Sequence, residues 1–368
     1  MVAESFLPQV NGVANTVRHL VEELTAAGHD VLVVAPGPGE TSYCGSRVIR
    51  LRSVPLPRYA SFPVGLPHRR AIADALARFA PDIVHLASPA VLGAAGMSVA
   101  ARLGLPTVAV FQTDLVGFAR QYRIRADTAV WAWLRRIHSR ADRTLAPSTV
   151  TAGQLRAAGV PRVALWGRGV DTDLFHPGRR RTELRRELAP DGELLVGYVG
   201  RLAAEKQVHR LAELADVPGI RVVVVGDGPE RESLRDVLPT ARFLGMLRGE
   251  ELATAYASLD VFVHTGEHET FCQTVQEAQA SGVATVAPAA GGPLDLVTDG
   301  MTGLLYEPAD PDALRRTVRR LVRDDELRFR LAAGGTARVA GRTWAHVVDD
   351  LVVHHYSAVL PQSPGLAA

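Results

Sequence analysis

Lysine is almost missing from this chain. Of 41 basic residues only one, Lys206, is lysine, and the rest are arginine. A coding bias toward arginine explains the shortage, and Lys206 stands out against it. Cysteine is equally scarce, with Cys44 and Cys272 the only two. Two thiols build no disulfide framework, which fits a reducing cytosol. No run of eighteen or more apolar residues occurs, so no transmembrane helix is expected. No basic region followed by an apolar stretch opens the chain, which argues against a signal peptide. The net charge is only +2, which gives no reason to expect nucleic acid. His85, His138, His264 and His268 show no metal-ligand spacing with a cysteine partner. Structural histidines are the expectation for most of them, with His268, beside Glu269, the one worth testing.

What is present suits a two-domain α/β protein. The chain has 368 residues, 47% of them hydrophobic, enough for two cores. Short apolar runs alternate with amphipathic helices, the pattern of doubly wound parallel sheets. Strands are expected at 31–35, 83–86, 107–111 and 144–146, then at 194–199, 221–225, 261–264 and 285–287. The polar linker His176-Pro177-Gly178-Arg179-Arg180-Arg181 places the break between a first domain, 1–175, and a second, 176–342. A last helix is expected over Trp344–Tyr356 and a disordered tail after it, from 359 to 368. Ligands bind at the carboxyl ends of such strands, so two facing sheets imply a site in the cleft between them. Only Val2-Ala3-Glu4 is available for the first strand, too short for the central strand expected there. The expectation is a chain that begins inside its natural first strand.

Four segments carry chemistry. Lys206 ends the run Gly200-Arg201-Leu202-Ala203-Ala204-Glu205-Lys206, directly after the strand 194–199. An ammonium point charge beside an arginine fork, at the carboxyl end of a strand, is what a diphosphate needs. The alternative is a chance survivor at a solvated helix start. The run His268-Glu269-Thr270-Phe271-Cys272-Gln273-Thr274-Val275-Gln276-Glu277 leads from a strand into a helix expected over Phe271–Ser281. Glu269 and Glu277 are then separated by about 12 Å of helical rise. The amides between them would form an anion-binding helix N-terminus. Two solvated glutamates on an amphipathic helix are the alternative, weakened by the company of Arg201 and Lys206. Asn11-Gly12-Val13 opens a helix expected over Ala14–Ala27, where glycine lets a phosphate approach the backbone. Finally, Gly226-Asp227-Gly228-Pro229-Glu230-Arg231 has only part of a dinucleotide fingerprint, because Arg231 stands where the third glycine belongs. A NAD enzyme is a poor fit.

In this order the segments resemble the retaining glycosyltransferases of family 4. These have the GT-B fold, two Rossmann-like doubly wound domains facing each other across a cleft. The resemblance covers nearly the whole chain, and also includes Gly167-Arg168-Gly169-Val170-Asp171 with Phe175 and Gly291-Gly292-Pro293 with Gly300 and Gly303. Phe111-Gln112-Thr113-Asp114 and Ala289-Ala290-Gly291-Gly292-Pro293 are most similar to the actinobacterial GDP-mannose-dependent α-mannosyltransferases. The resemblance implies transfer of a hexose with α configuration from a nucleotide sugar, GDP-mannose, to a lipid-linked or glycolipid acceptor. It implies no cofactor and no metal, so Asp171 and Asp173 are taken as structural. By front-face attack the leaving phosphate takes the acceptor proton, and no side-chain nucleophile is needed. Arg201 and Lys206 would stabilise the leaving diphosphate, more in the transition state than in the ground state. Glu269 would hold sugar hydroxyls, and Glu277 the ribose. Backbone amides near Phe271, Cys272 and Gln273 would contact sugar and phosphate. Leu247, in Gly245-Met246-Leu247-Arg248, would receive the base, and Gly12 would face the donor.

Gln112, Asp114 and Arg120 fall on the acceptor side. Two departures bear on these roles. Many relatives have His where Gln112 stands, and Gly where Cys272 stands. The final helix is expected, by resemblance, to cross back to the first domain. Phe118–Arg143 carries seven arginines against Asp127 and Asp142. Val130, Trp133, Leu134 and Ile137 form its apolar stripe, with Trp131 off the stripe. Such a helix suits the surface of an anionic membrane, and the alternative is a core-packed helix with a solvated basic face. A cytoplasmic protein is expected, with peripheral contact at the inner face of the membrane if the first reading holds. A UDP-sugar donor, a nucleotide-sugar epimerase or hydrolase, and a non-catalytic sugar-binding scaffold are the competing readings. The Arg201, Lys206, Glu269 and Glu277 set counts against the last, although fold alone decides none of them.

Overall fold

The apolar runs form the inner strands of two separate parallel sheets. The computed structural model describes residues 1–56, 59–113 and 127–361. The chain divides into Met1–Arg168 with the segment from Trp344 onward, and Gly169–Thr343.

The first unit contains β1 (Val2–Ala3), β2 (Leu32–Pro36), β3 (Ser42–Tyr43) and β4 (Ser46–Leu51). A hairpin of β5 (Ser53–Leu56) and β6 (Tyr59–Gly65) forms its own small sheet. Then follow β7 (Val84–Ala87), β8 (Thr107–Val110), β9 (Arg143–Ala146) and β10 (Val163–Leu165). The large sheet runs β10-β9-β8-β7-β1-β2-β4-β3, parallel except for the antiparallel edge strand β3. The two-residue β1 is central, with Val2 opposite both Val34 and Leu86. The helix Gly12–Ala26 starts two residues earlier than expected, because the Asn11 side chain accepts from the Val13 and Ala14 amides. Its Val13, Val17, Leu20, Val21 and Leu24 lie on the buried face.

The C-terminal segment is α-helical over Trp344–Asp350 and continues as a π-helix over Leu351–Tyr356. Trp344 stacks on His19 with ring centroids 4.4 Å apart. Trp166 Nε1 donates to the Val347 carbonyl at 3.0 Å. Val347, Val348, Leu351 and Tyr356 share a cluster with Leu20, Val108 and Val110, which ties this segment to the first unit. His85 is a core histidine whose Nδ1 lies 2.8 Å from the Tyr356 hydroxyl. Burial lowers its pKa to about 3, so it is neutral.

The second unit holds β11 (Leu194–Val199), β12 (Ile220–Val225), β13 (Arg242–Gly245), β14 (Val261–Val263), β15 (Ala284–Pro288) and β16 (Leu304–Tyr306). Their order is β13-β12-β11-β14-β15-β16, and all are parallel. The four inner strands are nearly unbroken apolar runs, as burial on both faces requires. The loops after β11 and β12 pack back to back. A Cβ on Gly226 would stand 1.9 Å from the Gly200 carbonyl oxygen, and one on Gly228 would stand 2.2 Å from that of Leu202. The Gly-Asp-Gly segment is thus a close-packing device that seats the Gly200–Leu202 loop.

The division between the units falls at Arg168–Gly169, seven residues before the expected break. Residues 169–175 belong to the second core: Val170 donates its amide to Arg342 at 2.8 Å, and Phe175 packs edge-on against Tyr256. The polar linker holds a short 3-10 turn over Pro177–Arg179 beyond that anchor. Asp171 Oδ1 accepts from the Asp173 and Leu174 amides at 3.2 and 2.9 Å, which closes a local turn.

Candidate active site

The second sheet brings four charged or titratable groups together at the carboxyl ends of β11 and β14. After β11 the chain passes through Gly200 and a 3-10 turn over Ala204–Lys206. Thr265, two residues beyond β14, donates its hydroxyl to the Lys206 carbonyl at 2.7 Å and fixes that turn to the neighbouring strand end. Lys206 Nζ then meets Glu269 Oε1 at 2.6 Å. His264 Nε2 stands 3.3 Å from the same oxygen. Gly266 is small for the same reason: a Cβ there would lie 3.1 Å from His264 Nε2 and 3.4 Å from Glu269 Oε1. Behind Glu269, the Gly292 amide donates to the Glu269 carbonyl at 2.7 Å, and a Cβ on Gly292 would collide with the Phe271 carbonyl at 2.3 Å. The Gly291-Gly292 pair therefore holds the glutamate's backbone in place.

Electrostatics follow the geometry. Burial pushes the Glu269 carboxyl up, but Lys206 and His264 outweigh it and hold the group far below the usual carboxylate range. Burial pushes the Lys206 ammonium down, and Glu269 reverses that, so its pKa is raised. His264 is opposed by burial and favoured by Cys272 and Glu269, which raise it to about 10. At neutral pH the group is an ammonium and an imidazolium around one carboxylate. Arg201 Nη1 lies 3.7 Å from Glu205 Oε1, and the Arg201 side chain reaches toward solvent.

The helix after Glu269 starts later than expected. Cys272 has φ +81°, a left-handed conformation rare outside glycine, and the helix spans Gln273–Ala280. Glu269 and Glu277 are consequently not separated by eight residues of helix. Only the four steps from Gln273 to Glu277 rise helically, about 6 Å. A left-handed backbone is one that glycine adopts without strain, so Cys272 occupies a position suited to glycine. The Phe271 and Cys272 side chains sit in the core, and Leu247 packs against the same cluster. The Gln273 side chain is engaged with the Gly169 carbonyl at 2.9 Å. Its available group at the helix mouth is therefore the backbone amide. Glu277 Oε2 accepts from the Tyr256 hydroxyl at 2.9 Å, and burial raises its carboxyl to about 7.

In the first unit, Gly12 is the first residue of its helix, and a Cβ there would lie 3.3 Å from Arg168 Nη1. Arg168 Nη2 donates to Gln112 Oε1 at 3.4 Å. Arg168 is 6% exposed, and sequence reading passed over it. Its place inside Gly167-Arg168-Gly169 was the available signal. Asp114 and Arg120 lie outside the described residues.

Two expectations need correction, on the histidines and on the basic helix. His264, taken as a structural histidine, faces Glu269, whereas His268 is exposed. His264 and Cys272 showed no metal-ligand spacing in sequence, yet with Glu269 their ligand atoms all lie within 4.8 Å of one another. A strand end and a helix cap bring these atoms together. On the basic helix, whose described part is Asp127–His138, Trp131 stacks on Phe111 at 6.4 Å and Trp133 is the exposed indole. The apolar stripe is rotated toward Trp131, because Phe111 at the end of β8 supplies the partner surface.

Two Rossmann-like α/β units are the architecture of the GT-B glycosyltransferases, and the family profiles assign the chain to that class. The profile of Glycosyltransferase Family 4 matches residues 10–174, and that of Glycosyl transferases group 1 matches 180–338. A GDP-mannose-dependent alpha-mannosyltransferase of Mycolicibacterium smegmatis is 52% identical, over 98% of this chain and 97% of that protein. One of the same name from Corynebacterium glutamicum is 44% identical, over 98% of this chain and 88% of that protein. The chain belongs to the family 4 glycosyltransferases. Its fold is shared with a sucrose-phosphate synthase of Thermosynechococcus elongatus, at TM-score 0.79 and 22% identity, over 95% of this chain and 94% of that one.

The charge pair makes a prediction about acid. The folded-state pKa of Glu269 lies below its ordinary 4.5. The stabilisation is therefore fully present above about pH 4.5 and is lost as pH falls through the folded value. The Tm advantage of wild type over Glu269→Gln should stay constant between about pH 5 and 7 and shrink on further acidification. A difference that widens below about pH 4.5 would contradict the ion pair.

Proposed function

We propose that the chain transfers mannose from GDP-mannose, with the α configuration retained, to a lipid-borne acceptor. The observation that carries this reading is the Lys206–Glu269 pair at the carboxyl ends of β11 and β14, 2.6 Å apart. It occurs in a chain whose full-length relatives are named for GDP-mannose. Lys206 and Arg201 supply positive charge to the departing diphosphate. Glu269, oriented by Lys206 and His264, accepts from sugar hydroxyls. A carboxylate so engaged by two cations is a weak nucleophile, which favours front-face attack with the leaving phosphate as base. The amides at Cys272 and Gln273 take the phosphate or sugar oxygens, as a helix N-terminus does. Glu277 accepts from the ribose hydroxyls, and Leu247 lies beneath the base. The positive charge comes from side chains, so the reaction as proposed needs no metal and no cofactor.

The acceptor reading draws on the first unit. Trp133 is 47% exposed and rims a groove of about 290 Å³ with Arg69, Met97, Arg136, Ile137 and Arg140. An exposed indole beside arginines suits the headgroup region of an anionic bilayer. Among the described residues no helix is long and apolar enough to cross a membrane, so this contact is peripheral in the proposed reading. We place it at the cytoplasmic face.

Two experiments test the halves separately. A ligand that binds the folded state raises Tm, so GDP-mannose should stabilise the protein more than UDP-glucose or UDP-N-acetylglucosamine at equal concentration. A larger shift with a UDP-sugar would keep the family and overturn the donor. With labelled GDP-mannose and a membrane lipid extract, label should pass to an organic-soluble product, and Trp133→Ala with Arg136→Glu should reduce that transfer several-fold. Label released only as free sugar would point to a hydrolase.

A further inference from the structure

His264 and Cys272 are engaged in the charge cluster, but the proposed transfer assigns their side chains no step. Both are nearly inaccessible, at 3% and 5% exposed, and both face Glu269. Neither His264 ring nitrogen has a hydrogen-bond partner of ordinary geometry; the ring approaches Glu269, with Nε2 at 3.3 Å, and the Cys272 thiol. An imidazole, a thiol and a carboxylate, each offering one atom within 4.8 Å of the others, are the ligand types that hold zinc. Tetrahedral bonds of zinc to sulfur and nitrogen put neighbouring ligand atoms roughly 3.3–3.8 Å apart. Side-chain shifts of about 1 Å would close the trio to that spacing.

We propose that His264, Glu269 and Cys272 form a binding site for a soft divalent cation such as Zn2+, and that its occupation blocks the transferase. The three ligands leave a fourth position open, as in sites where a small molecule completes the shell. Lys206 is the competitor, because its ammonium holds Glu269 Oε1 at 2.6 Å. A cation on the carboxylate would displace Lys206 and neutralise the group that the proposed reaction uses for the sugar. The binding site stands on the three ligands alone, and only the block of transfer rests on the proposed role of Glu269. Ligation requires a bare imidazole nitrogen and a thiolate, so both protons must leave and affinity falls as pH is lowered.

The test uses the tag-free full chain. Co2+ should produce a thiolate-to-cobalt charge-transfer band that Zn2+ abolishes. The band should persist in Cys44→Ser and be absent from Cys272→Gly and His264→Gln. Glycine suits the left-handed backbone at position 272, so that variant keeps its fold. In transfer assays, micromolar Zn2+ should inhibit wild type and Cys44→Ser, EDTA should reverse it, and Cys272→Gly should be at least ~10-fold less sensitive. No cobalt band, or a band unchanged in Cys272→Gly, overturns the site. A band in wild type with unimpaired transfer at saturating Zn2+ overturns the block and, with it, the assignment of Glu269 to the sugar.

Discussion

The ion pair between Lys206 and Glu269 is the constraint around which the second unit is arranged. It places the chain's one lysine at the end of a buried parallel sheet, partly screened from water. Breaking it would leave a largely buried carboxylate without its ammonium partner, which is strongly destabilising. The pair is also a store of positive charge. In the proposed reaction Lys206 exchanges part of its contact with Glu269 for the phosphate that becomes more negative as the sugar leaves. Glu269 then turns toward sugar hydroxyls. In the proposed reaction the same two residues thus stabilise the folded state and carry the chemistry.

Holding such a pair requires closely packed backbone, and glycine does most of this. Gly226 and Gly228 let the loop after β12 lie directly on the loop after β11. Gly291 and Gly292 let a third loop press on the backbone of Glu269 and Phe271. Thr265 links the turn at Lys206 to the end of β14. None of these contacts touches the charged atoms, yet each fixes where they sit. The strands contribute stiffness: Tyr198 and Phe262 fill the core below the site and hold β11 and β14.

The sequence was legible where the physics is local. Long apolar runs such as Leu194–Val199 and Ile220–Val225 are buried on both faces and announce themselves as inner strands. Strands at or next to a sheet edge, such as Ser46–Leu51 and Arg242–Gly245, mix polar and apolar residues and pass as loops. Lys206 and Glu269 were legible because charge at a strand end in an apolar neighbourhood has few structural uses. His264 was not, because its meaning depends on two segments that meet only in the fold. Arg168 was missed for the same reason: its partners Gly12 and Gln112 lie more than fifty residues away. The orientation of the basic helix turned on one ring, Phe111, which no periodicity in the helix itself could supply. The helix start at Gln273 turned on the left-handed backbone of Cys272.

The central claim is that the charge on Lys206 acts on the leaving diphosphate and not on the resting substrate. Steady-state kinetics of Lys206→Ala with GDP-mannose test it most directly. Turnover should fall by at least ~100-fold, as on removal of one oxyanion donor, with a much smaller change in KM. Lys206→Arg should be impaired as well, since a planar fork does not replace a point charge. A correctly folded Lys206→Ala protein with near-normal kcat would contradict the account.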